Sequence, residues 1–224
     1  FTTLLEPAFE GDAIAREKKS MLEHVKLRQD NPGQTCILEF MRTMFGDHPY
    51  GHDPYGDEAS INQLNPQMVR DLFNRRKGLT IVASGAFDPK ELREQVKAAL
   101  GKTSFGEGKI ETQAIQYPDK EVHIFRENPK QQSHLIVGYP GLDLKSADRY
   151  VLQVMQAILA GQGGRLFIEL RDKASLAYSV SPMRMEGLEG GYFGAYIGCS
   201  PEKAQTAIRM MHAEFDKLVE KSVP

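Results

Sequence analysis

The run GQGGRLFIELRDKASLAYSVSP, at positions 161–182, joins a glycine turn, a short helix and a strand in quick succession. GQGG follows a helical pattern rather than a strand, and no Gly-Lys-Ser/Thr completes it, so it reads as a turn and not as a phosphate loop. RLFIELRD reads as a helix ending near Arg171, and a strand beginning near Leu176 presents Tyr178 seven positions after that arginine. Neither residue is demanded by a core. An arginine at a helix end can serve an ion pair and a tyrosine in a strand can pack across the ladder, so their meaning rests on the whole run.

Working outward, positions near 145–159 set Tyr150, Val151, Val154, Met155, Ile158 and Leu159 on one apolar helical face. Downstream, Phe193, Ala195, Ile197 and Cys199 alternate with Tyr192, Gly194, Tyr196 and Gly198, the period of a strand. A last helix starts at Ser200-Pro201 and carries Ile208, Met211, Phe215 and Leu218. Upstream, EVHIFRE (121–127) and SHLIVGYP (133–140) are two further strand candidates. The polar, glycine-containing stretch 103–118 has no sustained period and reads as a linker, giving segments 1–102 and 119–224 on either side.

In the first segment, Asp12 to Arg28 forms a helix with Ile14, Met21 and Val25 at helical spacing, ended by NPG at 31–33. A second helix, about 34–45, leads into GDHPYGHDPYGDEAS, too rich in Gly, Pro and Asp to be regular. Asn65 and Pro66 open a third helix, Gly78 closes it, and LTIVASGAF (79–87) reads as a buried strand. Asp88, Pro89 and Glu91 start a helix that ends at Gly101. AFDPKELREQVKAAL and GCSPEKAQTAIRMM both launch a helix from a cap residue and a proline after a glycine-bearing strand, 112 residues apart, as two related α+β lobes would. The predicted fold class is therefore α+β, two lobes with mixed or antiparallel sheets backed by helices.

The chain has 224 residues, 41% hydrophobic and 26% charged, with 28 basic against 30 acidic residues and a formal charge of −2. That balance, without a basic block, argues against a nucleic-acid or anionic-lipid surface. No stretch approaches the length of an apolar membrane span, and the start has no signal-peptide pattern. The chain begins at Phe1 rather than Met and ends on EFDKLVEKSVP, so both ends are expected to be cuts. Cys36 and Cys199 fall in apolar patterns and read as small buried hydrophobes.

Six histidines raise the question of a metal, and their spacing answers it. Pro49 and Gly51 separate His48 from His52 and forbid a shared helical face. His123 and His134 sit in separate strand candidates with no carboxylate or thiol at ligand spacing, and His212 lies in the last helix beside acidic residues, so these three read as surface or core histidines. No H-x-x-E-H, H-E-x-x-H or C-x-x-C is present, and no G-x-S-x-G offers a serine nucleophile. His24 lies seven residues after Glu17 and shares a helical face with it and Met21, as a tolerated histidine of an amphipathic helix also would.

Taken together, the glycine turn, R-L-F, Arg-x-Lys and Leu-x-Tyr of residues 161–182 resemble the signature of the pitrilysin/insulinase family of zinc peptidases, the inverzincins, which includes the mitochondrial processing peptidases. AREKKSMLEHVKLRQDNPG, FGDHPYG and GLTIVASGAFDPKELREQV resemble family segments in the same order, so the likeness covers essentially the whole chain. In the family an H-x-x-E-H helix supplies two histidine ligands and the general-base glutamate, and the resemblance places the position of that segment before residue 1. It also places Glu17 at the upstream glutamate and His24 at the third-ligand position, where the family has glutamate. Glu23 would serve only after a one-residue shift, which turns it about 100° away. A non-zinc half is implied: no metal or cofactor in this chain, His24 non-ligating, and zinc in an active homologous half or subunit. Arg171 and Tyr178 then match the Arg/Tyr pair that such a half contributes to peptide binding and to the oxyanion in its partner's active site.

The expectation is an inactive, substrate-binding half of a zinc endopeptidase, with a first lobe at 1–102 lacking the metal helix and a second, inactive-type lobe at 119–224 truncated at its C-terminus. Peptide substrate and the active half are the expected partners, with self-association of the fragment through an exposed sheet edge. Two alternatives remain: a fragment of a self-contained active peptidase with His24 as an unusual ligand, and a non-catalytic structural subunit resembling respiratory-complex core proteins. The family resemblance points to a bacterial periplasmic or organellar setting.

Overall fold

In the computed structural model, the described residues are 1–103, 105–106, 108 and 111–220. Part of the expected 103–118 linker, and the C-terminal end where truncation was expected, lie outside them. The chain divides into two compact units, Phe1–His24 with Asp57–Glu111, and Val25–Gly56 with Thr112–Pro224.

The first unit is helical among its described residues: α1 (Thr2–Leu5), the first part of α2 (Gly11–Gln29), α4 (Glu58–Gln63), α5 (Pro66–Asn74) and α6 (Pro89–Leu100). The tail of the irregular GDHPYGHDPYGDEAS run becomes α4, because Asp57 and Ser60 cap each other reciprocally and Ile61 is buried. Lys18 Nζ donates to the Asn62 and Leu64 carbonyls at 3.0 and 2.7 Å, satisfying acceptors at the end of α4. Asn65 caps α5 as expected, its Oδ1 accepting from the Met68 N–H at 3.0 Å. Asp88 caps α6 through the Lys90 and Glu91 amides, but Glu91 does not reach back; its carboxylate accepts from Gln95 instead.

LTIVASGAF (79–87) is not in a ladder, and Val82 is 86% exposed. EVHIFRE (121–127), in the second unit, likewise pairs with nothing among the described residues, with Phe125 87% exposed. An apolar run makes a strand only where a neighbour takes its backbone hydrogen bonds, and none of the described residues does so for these two.

The second unit holds α3 (Pro32–Phe45), β1 (Ser133–Gly141), α7 (Arg149–Leu159), β2 (Ala177–Glu186), β3 (Gly191–Cys199) and α8 (Ala204–Glu220). NPG, expected as a stop, is also a start: Asn31 Oδ1 accepts from the Gln34 N–H and Pro32 occupies the first turn of α3. The sheet is antiparallel in the order β1-β3-β2, so the predicted α+β class holds. Its central strand is covered on both faces. Phe193, Ala195, Ile197 and Cys199 join Leu159, Leu166, Leu170, Ala207, Met211 and Phe215 in one core, while Tyr192 packs with Met44 and Phe45 of α3 in another. Side chains of one strand thus bind two helical layers, each buried Leu, Ile or Phe stabilising by roughly 1.5–3 kcal/mol. The last helix is preceded by a tight turn at Pro201–Lys203, and Ser200 makes no side-chain cap to the backbone. On α7, Leu159 is buried, but Tyr150, Val151 and Val154 of the expected apolar face are each more than half exposed.

Candidate functional site

The glycine turn opens the site. Gly161 has φ +74°, and a Cβ on Gly164 would stand 2.2 Å from the Ala160 carbonyl, so the chain reverses here only because side chains are missing. The helix that follows buries Leu166 and Leu170 completely, four residues apart on one face, and so fixes its roll.

Sequence reasoning expected an ordinary short helix; Phe167–Lys173 instead adopts the wider π form. Its end is marked by long-span bonds, the Ala174 N–H to the Glu169 carbonyl at 3.2 Å and the Leu176 N–H to the Leu170 carbonyl at 2.8 Å. No periodicity in eight residues signals such a widening. Arg171 is exposed beside buried Leu170, with its guanidinium 4.6 Å from the centre of the Phe167 ring. That cation–π contact, worth about 0.5–1 kcal/mol at an exposed site, limits the rotamers of an otherwise free side chain.

Ser175 follows with φ +52°, a left-handed conformation for a residue with a Cβ, and Lys203 Nζ donates to its carbonyl at 2.8 Å. Leu176 returns to the core. β2 then begins with a bulge: Ala177 faces Cys199 and Ser179 faces Gly198, leaving Tyr178 without a cross-strand partner and 62% exposed. Arg171 and Tyr178 are thus both presented to solvent, each beside a residue anchored in the same core. A forked cation and a phenolic donor can bind a peptide backbone and stabilise an oxyanion.

His48 is buried, its Nδ1 accepting from the Tyr50 N–H and its Nε2 3.1 Å from the Gln113 carbonyl. His134, on β1, sits 2.6 Å from the Tyr196 hydroxyl, and burial lowers its pKa. His24 and Glu17 are exposed on α2, and Glu17 lines an apolar groove of about 460 Å³ with Phe9, Ile14, Met21, Leu64 and Val69. Among the described residues no three His, Cys, Asp or Glu side chains converge as a metal would need. The donors of the described residues therefore do not form a zinc site.

Residues 66–224 match the model of the peptidase M16 inactive domain. An uncharacterised zinc protease of Streptomyces coelicolor is 29% identical over 91% of the chain and 47% of its own length. A crystal structure of a peptidase M16 inactive domain from Pseudomonas fluorescens superposes with a TM-score of 0.86 at 26% identity, covering 99% of this chain and 55% of that one. A chain in complex III2 of Candida albicans shares the fold, with a TM-score of 0.78 at 17% identity over 93% of this chain and 52% of that one. The chain spans about half the length of the curated relatives it matches. It belongs to the zinc-protease family whose inactive domain its residues 66–224 match, and no helix of its described residues is long and apolar enough to cross a membrane.

Proposed function

We propose that this chain is the substrate-binding half of a two-part zinc endopeptidase, contributing Arg171 and Tyr178 to peptide binding and to oxyanion stabilisation in the active site of a homologous, zinc-bearing half. The two lobes at 1–102 and 119–224 belong to that reading. His24, at the place of a third ligand, is non-ligating in it. The observation that carries the proposal is the exposure of both side chains on rigid, core-anchored supports, with Tyr178 expelled from the ladder by the bulge. Groups held at a developing negative charge act without reorganising, so this rigidity is what the role requires.

The test uses the full-length protein combined with its zinc-bearing homologue and a fluorogenic peptide. Arg171→Ala and Tyr178→Phe should each lower kcat by about 10²–10³-fold, with zinc content and thermal stability unchanged. Unchanged turnover in both would leave the pair without a chemical role and favour a structural subunit, a reading that the fold shared with the complex III2 chain supports.

A further inference from the structure

We infer that Tyr196, acting through Ser179 and backed by His134, is a positioning residue that holds the β2 bulge in the register that presents Tyr178. The inference rests on the reading of Tyr178 as a substrate-contacting group.

Three strands meet at this point. Ser179 comes from β2, Tyr196 from β3 and His134 from β1, and their polar atoms converge beside Gly198: a Cβ there would stand 3.1 Å from Ser179 Oγ, 3.6 Å from the Tyr196 hydroxyl and 3.7 Å from His134 Nδ1. From the α3 side the cluster is closed by Gly33, whose Cβ would stand 3.0 Å from the same hydroxyl and 3.4 Å from the same nitrogen. Two glycines therefore leave room for the cluster, and a side chain at either would enter it. His134 Nδ1 lies 2.6 Å from the Tyr196 hydroxyl, and Ser179 Oγ borders the same pocket above Gly198, where it interacts with that hydroxyl. The imidazole and phenol rings also stack, 5.9 Å apart at 29°.

The consequence concerns register. A bulge sets two residues against one, and nothing in the backbone alone decides which residue of β2 is expelled. A slide by one residue would bring Tyr178 into the ladder and turn its neighbours to the opposite faces. Ser179 is the first residue paired after the bulge, opposite Gly198, and its hydroxyl lies against a phenol that is itself hydrogen-bonded to His134. The cluster holds Ser179 in place, and Ser179 leaves Tyr178 as the residue outside.

The experiment compares Tyr196→Phe and Ser179→Ala in the full-length protein with its zinc-bearing homologue, reading amide hydrogen exchange and kinetics. Amides 178–180 should exchange about five- to tenfold faster, with protection across the β1–β3 ladder retained. In Tyr196→Phe kcat should fall about tenfold at constant KM, and Tyr196→Phe added to Tyr178→Phe should cost nothing further. Unchanged exchange at 178–180, or kinetic losses that simply add, would overturn the inference. Faster exchange there, with Tyr178→Phe itself harmless to turnover, would uphold the positioning link and overturn the proposed function instead.

Discussion

Gly138 faces Gly194 across the β1–β3 ladder, and the Phe40 ring of α3 rests in the space that the missing side chain of Gly138 leaves. A Cβ on Gly138 would stand 2.5 Å from Phe40 Cε2, and one on Gly194 would stand 2.4 Å from the Val137 carbonyl oxygen. Phe40 in turn meets Tyr192 edge to face at 5.0 Å, so Gly138 sets how closely α3 approaches the sheet.

The two clashes differ in what must move. At Gly138 the obstacle is the end of a side chain, whereas at Gly194 it is backbone within a ladder. Gly194→Ala should therefore destabilise more than Gly138→Ala, each within about 1–3 kcal/mol. Urea denaturation of the two variants checks the order. Equal costs would mean that the ring is as fixed as the ladder.

Ser175 carries the link between Arg171 and Tyr178 in a left-handed conformation. Ser175→Gly should be neutral or stabilising by up to about 1 kcal/mol, because relieved strain offsets the added freedom of the unfolded chain. Ser175→Val should cost about 1–3 kcal/mol, since a β-branched side chain at positive φ is strained further. A melting temperature that falls equally in both would point to a lost side-chain contact rather than backbone strain.

Glu214 is buried on α8, with one carboxylate oxygen 2.5 Å from Lys217 Nζ and the other buried without a hydrogen-bond partner. Removing only the lysine leaves a buried charge uncompensated, while removing both charges leaves none. Lys217→Met should cost about 1–3 kcal/mol, a range that allows for the partial exposure of the ammonium. Glu214→Met combined with Lys217→Met should recover most of that loss. Additive losses in chemical denaturation would show that packing, not charge, dominates at this place.

The parts of the fold legible in the sequence were those set by local chemistry. Asn65, Asp88 and the Ser200-Pro201 pair marked helix starts because caps and first-turn prolines act within four residues, though Ser200 proved to introduce a tight turn before α8. The strands expected at 79–87 and 121–127 are absent from any ladder of the described residues, because an apolar run is local while pairing is not. At the site, the seven-residue spacing of Arg171 and Tyr178 was visible, but the π turn, the left-handed Ser175 and the bulge that expose them were not. Each depends on where Leu170 and Leu176 enter a core built from distant segments. The His134, Ser179 and Tyr196 cluster was hidden for the same reason, since its members are brought together only by the order of the strands.

Cys36 gives a prediction in pH. Burial and, second, the nearby Glu39 carboxylate push its thiol up to about 11, and its Sγ donates to the His134 carbonyl at 3.3 Å. The folded protein therefore holds this proton more tightly than the unfolded chain, whose thiol titrates near pH 8.5. The resulting stability is fully present below that pH and is lost as pH rises toward the folded value. Alkylation needs the thiolate, so at pH 8 iodoacetamide should label Cys36 about a hundredfold more slowly than a free thiol. Peptide-resolved mass spectrometry separates it from Cys199, which is buried and raised as well. Cys36→Ser keeps a donor for the His134 carbonyl but has no proton to lose in this range, so its melting temperature should fall less steeply between pH 8.5 and 11. Labelling at the free-thiol rate, or parallel alkaline melting curves, would mean that α3 opens readily at Cys36 and that the thiol is not held by burial against the His134 carbonyl.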